Sequence, residues 1–180
     1  MPEWTDVRPR SESSRVRIEH VRAGDADRLR ALRLASLRAD PGAFGATYES
    51  DAARPASWWE RGAALSDAGV EQRTFVVVGE NRRWLGMALV RPDEGSEAVL
   101  NAMWVAPEAR GRGAARALCD ACARWAAERG FRALNAAIVR SNDAALRAYT
   151  AAGFVVSHES TYSGHGRTLE ELILRRSLAP

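Results

Sequence analysis

The sequence predicts a single α/β (α+β) domain built on one mixed, mostly antiparallel sheet of about seven strands flanked by helices. The length of 180 residues suits one domain, and 46% apolar residues are enough for a buried core. Segments with the periodicity of strands are interleaved with helical segments, and one long amphipathic helix lies between them. We expect the domain to span residues 15–176, with a disordered polar tail over 1–14 and a short tail over 177–180.

The first half of the chain begins with a strand and a helix. Residues 15–22 alternate strictly between polar and apolar side chains, which predicts a strand with one solvated face. Gly24 and Asp25 then offer a turn and a helix N-cap, leucines follow at helical spacing, and Pro41 ends the helix. The segment 43–67 is less regular, and we expect one or two short helices and loops there.

Three strands and a long helix follow. Residues 73–78, 84–90 and 97–105 are rich in β-branched and other apolar side chains and are separated by short polar turns, which predicts an antiparallel meander. After a glycine-containing break, apolar residues from 114 to 126 recur on one face of a helix that Gly130 ends.

The last part of the chain predicts a strand over 133–139, a short helix over 142–152 that Gly153 closes, and two strands over 154–162 and 168–174. The predicted order is therefore β-α-(α)-β-β-β-α-β-α-β-β. The sequence contains no internal repeat and no linker-like segment that would separate a second domain.

All 26 basic side chains are arginines, and 23 acidic residues balance them to a net charge of +3. The arginines alternate with acids, whereas a nucleic-acid surface needs clustered cations, so we expect no nucleic-acid partner. No stretch approaches the roughly 18 apolar residues that span a bilayer. The first residues also lack the apolar core of a secretory signal, so we expect a cytoplasmic protein without a membrane partner.

Cys119 and Cys122 form a C-x-x-C pair, a spacing that occurs in redox and zinc sites. A zinc site needs two further ligands, and the three histidines are scattered along the chain. A reactive pair lies at a helix N-terminus, where the dipole lowers the thiol pKa, but this pair falls well inside the helix predicted over 114–126. We therefore expect two small core residues and no metal site.

The segment 105–115 runs from a strand through a glycine-rich turn into a helix. Gly111 and Gly113 let a ligand approach the backbone closely, and the unpaired N–H groups of the helix's first turn favour an anion such as a pyrophosphate. Three arginines around the turn would add mobile positive charge: Arg110, Arg112 and Arg116. A plain strand-to-helix turn with solvated arginines is the alternative. The segment fits neither a Walker A loop nor a dinucleotide fingerprint.

Two motifs carry a resemblance to a known family. Arg110, Gly113 and Ala115 fill the acetyl-coenzyme A signature of the GNAT superfamily of N-acetyltransferases, Arg/Gln-x-x-Gly-x-Gly/Ala. Residues 141–154 resemble the family's later motif, N-x-x-A-x-x-x-Y-x-x-x-G-F. The matching residues there are Asn142, Ala145, Tyr149, Gly153 and Phe154. The resemblance covers roughly residues 15–176.

The resemblance implies that acetyl-coenzyme A is bound and that coenzyme A is the product. It also implies a sheet whose fourth and fifth strands splay apart to admit the pantetheine arm. The turn would cradle the pyrophosphate, the end of the fourth strand would pair with the arm, and Tyr149 would protonate the departing thiolate. The implied cofactor-binding residues are Met103, Trp104, Val105, Arg110, Gly111, Arg112, Gly113, Ala114, Ala115, Asn142 and Tyr149. A core role for Tyr149 is the alternative.

The general base is not evident from the sequence. Some family members carry a glutamate six residues before the valine that ends the fourth strand, and here that position is Val99. Glu97 and Asn101 lie two residues to either side, on the same strand face. Glu97 is the candidate base, and Asn101 could orient a water or the substrate. Other routes for the proton are Glu49, Asp51 or a chain of waters.

The acceptor site should be built from the irregular segment 43–67 and the final hairpin, where aromatic side chains suit an amine or cation. We expect Phe44, Tyr48 and Tyr162 to bind the acceptor, with Trp58, Trp59 and His165 as further lining. The two tryptophans could equally form a hydrophobic anchor, which we favour.

The resemblance therefore implies an N-acetyltransferase that moves the acetyl group of acetyl-coenzyme A by direct attack in a ternary complex, and we expect the acceptor to be a primary amine of a small molecule. A peptide or protein N-terminal acetyltransferase is the first alternative. A non-catalytic acyl-coenzyme A-binding module, which Val99 permits, is the second. Dimers are common among relatives, so the resemblance is also compatible with a homodimer.

Overall fold

The computed structural model describes residues 16–178 of the chain. Within these residues one sheet has seven strands: β1 (Arg17–His20), β2 (Arg73–Val78), β3 (Trp84–Pro92), β4 (Glu97–Val105), β5 (Ala133–Val139), β6 (Val155–Gly164) and β7 (Arg167–Ser177). The α-helices are α1 (Ala26–Ala39), α2 (Tyr48–Ala52), α3 (Ala56–Ala68), α4 (Ala114–Ala127) and α5 (Asp143–Ala151). None of these helices combines the length and the apolar character that a bilayer crossing requires.

The strands are ordered β1-β2-β3-β4-β5-β7-β6 across the sheet. In the described part of the chain β4 and β5 run parallel, and the other neighbouring pairs are antiparallel. Helix α4 makes the long crossover that a parallel pair needs. The predicted mixed, mostly antiparallel sheet flanked by helices is confirmed, and so is the predicted order of helices and strands.

Element boundaries differ from the prediction at several places. β1 is only four residues long, and the irregular segment 43–67 contains α2 and most of α3. Ser177 lies in β7 and pairs with Ala133, so a domain end at residue 176 falls inside a strand. The tail predicted over 1–14 lies outside the described residues.

Each face of the sheet buries an apolar cluster. On the side of α4 and α5, here named the α4 face, Leu118, Cys119 and Cys122 pack with strand residues such as Leu100 and Leu134. Burial raises the pKa of Cys119 to about 12 and the pKa of Cys122 well above its usual value. Both thiols are therefore protonated core groups at neutral pH, as the sequence predicted.

The opposite side of the sheet, here named the α1 face, is covered by α1 and α3. Trp59 of α3 is 3% exposed and packs with Met87 of β3 and Trp104 of β4. Ser66 of α3 is fully buried and its hydroxyl donates to the Val21 carbonyl at 3.0 Å, which fixes α3 against the start of the sheet.

β4 and β5 separate partway along their length. They pair only where residues 97–100 lie opposite 133–136. Just beyond, the register between β3 and β4 shifts between Met87 and Leu89, and Ala102 has a φ of 52°. Such a bulge bends a strand and disrupts its ladder. The expected splaying of the fourth and fifth strands is thereby confirmed.

Candidate active site

A cavity of about 480 Å³ opens where β4 and β5 separate. Residues 101–103 of β4, Ala137 and Ile138 of β5, and Tyr149 of α5 line it at the gap. Its other walls come from α1, α2 with the segment before it, α3, and the hairpin of β6 and β7. The cavity therefore joins the gap between the strands to the α1 face of the sheet.

The glycine-rich turn before α4 leaves the first backbone N–H groups of that helix uncapped. Gly113 is the N-cap of α4 and supplies no capping side chain. Ala117 N donates to the Gly113 carbonyl, so the N–H groups of residues 114–116 have no partner within the helix. Gly111 and Gly113 have φ values of 73° and 79°, and a Cβ added to either would meet nothing within 4 Å. This geometry fits a phosphate at a helix N-terminus.

Arg110 is not the mobile cation that we expected. Its Nε donates to the Val105 carbonyl at 2.9 Å, and its Nη2 donates to Asp40 Oδ2 at 2.6 Å. The indole Nε1 of Trp104 donates to the same Asp40 oxygen at 2.7 Å. Because Asp40 is the C-cap of α1, these bonds anchor the turn to that helix. The Arg110 side chain is therefore a structural tie.

The other two arginines near the turn are exposed. Arg116 lies 3.8 Å from the Asp120 carboxylate, a long contact between largely solvated groups. Arg112 has no ion pair with any residue in 16–178. Both side chains are therefore free to reach an anion at the turn.

Helix α5 brings Asn142 and Tyr149 to the cavity. Asn142 is its N-cap, and its side-chain oxygen accepts a hydrogen bond from Ala145 N at 3.0 Å, which leaves its amide group as a donor. Tyr149 is 4% exposed and packs edge-on against Phe154, with ring centroids 5.1 Å apart. Burial and the neighbouring thiol of Cys119 raise the pKa of Tyr149 well above its usual value, so the phenol stays protonated.

The two candidates on β4 have different surroundings. Asn101 lines the cavity, and its Nδ2 is buried without a hydrogen-bond partner in the described residues. Glu97 does not line it: its carboxylate accepts hydrogen bonds from Arg175 and from Asn135 Nδ2, the latter at 2.6 Å. These bonds lower the pKa of Glu97, and four residues of strand separate it from Asn101 by about 13 Å. The geometry therefore disfavours Glu97 as the base.

Some of the predicted acceptor-binding residues line the cavity and one does not. Phe44 and Tyr162 line the cavity, together with Trp58, Trp59 and His165. Tyr48 does not, which corrects the prediction. Because it begins α2, its side chain turns towards α1, where Arg38 Nη2 donates to its hydroxyl at 2.6 Å. Trp59 is 3% exposed and anchors α3, the role that we favoured for both tryptophans. Trp58 is 44% exposed at the cavity wall.

Comparison with known proteins decides the family. The profile of the Acetyltransferase (GNAT) family matches residues 33–154, about two thirds of the chain. The chain belongs to the GNAT acetyltransferase family. No curated protein matches its sequence.

Solved structures share the fold of this GNAT domain. The GNAT-family acetyltransferase from Streptococcus pneumoniae has a TM-score of 0.76 at 18% identity, over 91% of this chain and 99% of that chain. The phosphinothricin acetyltransferase from Sinorhizobium meliloti, solved with acetyl-coenzyme A, has a TM-score of 0.71 at 19% identity, over 91% and 89%. The spermidine N-acetyltransferase from Vibrio cholerae, solved with coenzyme A and spermine, has a TM-score of 0.71 at 16% identity, over 91% and 96%.

The GNAT domain also contains a carboxylate in the cavity that the sequence analysis missed. Glu171 of β7 lines the cavity, and within residues 16–178 it has no ion pair or side-chain hydrogen bond. Burial raises the pKa of Glu171. Its neighbours Leu172 and Leu174 pack in the α4-face cluster, so strand alternation directs Glu171 to the α1 face. The sequence did contain a signal for this carboxylate. Neighbouring strand residues face opposite sides of a sheet, so one of the adjacent glutamates 170 and 171 must face each side.

The remaining carboxylates named from the sequence are less suited to accept a proton. Asp51 is 4% exposed and lines the cavity, but Arg33 Nε donates to it at 2.9 Å and Arg54 Nε at 3.3 Å. Glu49 is exposed and lines a separate shallow cavity beside α2. Of the two carboxylates that line the cavity, Asp51 and Glu171, Glu171 is therefore the one without a side-chain partner in residues 16–178.

Proposed function

We propose that the protein transfers the acetyl group of acetyl-coenzyme A to a primary amine of a small molecule, releasing coenzyme A, by direct attack in a ternary complex. The observation that carries the proposal is the continuity of the cavity. Its lining runs from the gap between β4 and β5 to the aromatic walls on the α1 face, so a donor in the gap and an acceptor on that face would meet.

The proposed binding site for the acetyl donor rests on backbone geometry. The uncapped N–H groups of residues 114–116 and the two open glycines suit a pyrophosphate, with Arg112 and Arg116 as exposed cations. Beyond residue 100 the edge of β4 no longer pairs with β5, so its backbone is available to an extended arm. When bound, acetyl-coenzyme A supplies an activated thioester. The two relatives solved with acetyl-coenzyme A and with coenzyme A support this choice of donor.

Two titratable side chains can handle the protons. An ammonium must lose a proton before it can attack, and Glu171, unpaired and half-buried in the cavity, accepts it. Tyr149, whose burial keeps the phenol protonated, donates a proton to the departing thiolate. Glu171 faces the α1 side and Tyr149 belongs to the α4-face cluster, so the base and the acid flank the gap from opposite sides of the sheet. Asn101, at the gap, orients the acceptor.

The size of the cavity favours a small acceptor over a peptide. Its volume of about 480 Å³ lies within the usual range for small-molecule pockets. Phe44, Trp58 and Tyr162 give it aromatic walls of the kind that suit an amine carrying an apolar group.

Release of free thiol from acetyl-coenzyme A, measured across a panel of small amines and short peptides, tests the function. We expect release that depends on an added small amine and is slow without one. Faster release with peptides would favour the N-terminal acetyltransferase. Binding of acetyl-coenzyme A with no amine-dependent release would favour the non-catalytic module and contradict the proposal.

A further inference from the structure

The cavity contains buried hydrogen-bond donors that nothing in the described chain satisfies. Four buried side-chain nitrogens or oxygens in residues 16–178 lack a partner, and three of them belong to cavity residues: Arg33 Nη1, Trp59 Nε1 and Asn101 Nδ2. Buried polar groups in folded proteins are nearly always paired, so an unpaired group needs an explanation. All three atoms are donors, which indicates that the missing partner is a hydrogen-bond acceptor.

Arg33 is held in place as a donor. Its side chain is 12% exposed, and its Nε is bonded to Asp51 at 2.9 Å. The guanidinium also lies over the Phe44 ring, 4.7 Å from the ring centroid. With the Nε bond and the ring fixing the group, Nη1 is a donor whose position is set before any ligand arrives.

The charge around Arg33 is positive. Asp51 accepts hydrogen bonds from both Arg33 and Arg54, so two guanidiniums share one carboxylate and one positive charge is left over. Arg54 is further fixed over the Trp58 ring at 4.4 Å. The other acidic or basic side chains that line the cavity are Glu171 and His165, on the opposite hairpin. One part of the cavity thus attracts an anion, and another offers a carboxylate to an ammonium.

We propose that the acceptor is an amino acid or a close analogue, whose carboxylate is bound by Arg33 and Trp59, with Asn101 as a further donor. This inference rests on the proposed function. The single excess positive charge matches a monoanionic carboxylate, whereas a phosphate ester carries a charge of about −1.5 to −2. The acceptor's amine then faces Glu171 and the gap between the strands. Leu29, Met87 and Leu89 add apolar lining, which favours an apolar amino-acid side chain.

Binding to the full chain with coenzyme A present tests the inference directly. Leucine, methionine and phenylalanine are each compared with their carboxamides, which keep an α-amine and nearly the same shape but lose the negative charge. Calorimetric titration should show that each acid binds at least about 10-fold more tightly than its amide, as expected for a charge-assisted contact. Equal affinity, tighter binding of the amides, or no detectable binding of any pair would overturn the proposal.

Variants separate this site from a general effect of folding. Asp51→Asn frees both guanidiniums and should increase the preference for the acid. Arg33→Met removes the excess positive charge and leaves Asp51 paired with Arg54, so it should abolish the preference. Arg38→Met is the matched control, because Arg38 is on the same helix but contacts Tyr48 outside the cavity, and it should leave the preference intact. A preference that survives Arg33→Met would contradict the assignment.

The same ligands show whether a failure belongs to this inference or to the acetyl transfer. If no amine causes thiol release but the acids still bind more tightly than the amides, the proposed function fails and the carboxylate site stands. If simple amines and amides are acetylated as fast as the acids and bind as tightly, the carboxylate site fails and the proposed function stands.

Discussion

The guanidinium of Arg110 donates a 2.6 Å hydrogen bond to the Asp40 carboxylate and so ties the glycine-rich turn to the end of α1. Asp40→Asn weakens this tie, and we expect the KM for acetyl-coenzyme A to rise by about 3- to 10-fold with a smaller effect on kcat. Both side chains are partly exposed, so the free energy of unfolding should fall by only about 1 kcal/mol. Steady-state kinetics and denaturant unfolding measure the two effects.

Glu108→Gln is the matched control for this prediction. It removes a surface ion pair with Arg83 in the turn that precedes the glycines, where both side chains are largely exposed. We expect the control to leave the KM unchanged. If Asp40→Asn has no more effect than the control, the turn does not depend on its tie to α1.

Replacing Tyr149 by phenylalanine removes the proposed proton donor and keeps the buried ring that packs against Phe154. We expect the chemical step, measured in single-turnover experiments, to slow by about 10²-fold, with acetyl-coenzyme A binding unchanged. Tyr48→Phe is the control, because Tyr48 lies outside the cavity. An unchanged chemical step in Tyr149→Phe would assign the tyrosine to the core alone.

Glu171→Gln tests the base through the pH dependence of kcat. Burial raises the pKa of Glu171, so its carboxylate loses the ability to accept a proton at a higher pH than an ordinary glutamate as the pH falls. The wild-type rate should therefore decline on the acid side, and the variant should lose that decline together with about 10²-fold in kcat. Glu170→Gln alters the exposed neighbour and should change neither. A retained acid limb in Glu171→Gln would point to a different base.

Local sequence signals predicted the order of the elements and the turn before α4, because caps, periodicity and glycines act over a few residues. The tie between Arg110 and Asp40 was not predictable, since the partners are 70 positions apart in the chain. Tyr48 was misjudged for a related reason: which way an aromatic side chain points depends on the residue at which its short helix begins. The predicted cytoplasmic location and homodimer stay predictions.

The general base could not be identified from the sequence either. Glu97 has the right strand face, but its partner Arg175 lies on β7, which pairs with β5 only in the folded sheet. The adjacent glutamates 170 and 171 indicate that one of them faces each side of the sheet, but only the three-dimensional lining of the cavity shows that Glu171 is the one inside it. Sequence spacing therefore identified the strand region that lines the gap better than it identified the acid–base groups around it.

Glu97 should contribute to stability and not to catalysis. Its hydrogen bonds from Arg175 and Asn135 lower its pKa, so this stabilisation is present above the usual glutamate pKa and is lost as the pH falls through the lowered value. We expect Glu97→Gln to reduce the free energy of unfolding near neutral pH by about 1 kcal/mol, given the partial exposure of the pair. Urea unfolding from pH 7 to pH 3 should show the difference from wild type shrinking with acidity, while kcat is unchanged. A large loss of kcat would show that Glu97 contributes to catalysis.

Alanine substitutions at two glycines of similar backbone conformation can distinguish a loss of ligand access from the effect of backbone strain. Gly113 in the turn before α4 has a φ of 79°, Gly95 in the turn between β3 and β4 has a φ of 64°, and a Cβ added to either meets nothing within 4 Å. Alanine at either position therefore brings a similar strain of about 1 kcal/mol and no clash within the chain. Only Gly113→Ala places a methyl group beside the free N–H groups of α4. We expect it to weaken coenzyme A binding by at least about 10-fold in a calorimetric titration, while Gly95→Ala leaves the affinity unchanged. Equal affinities in the two variants would mean that the pyrophosphate does not approach the backbone at this turn.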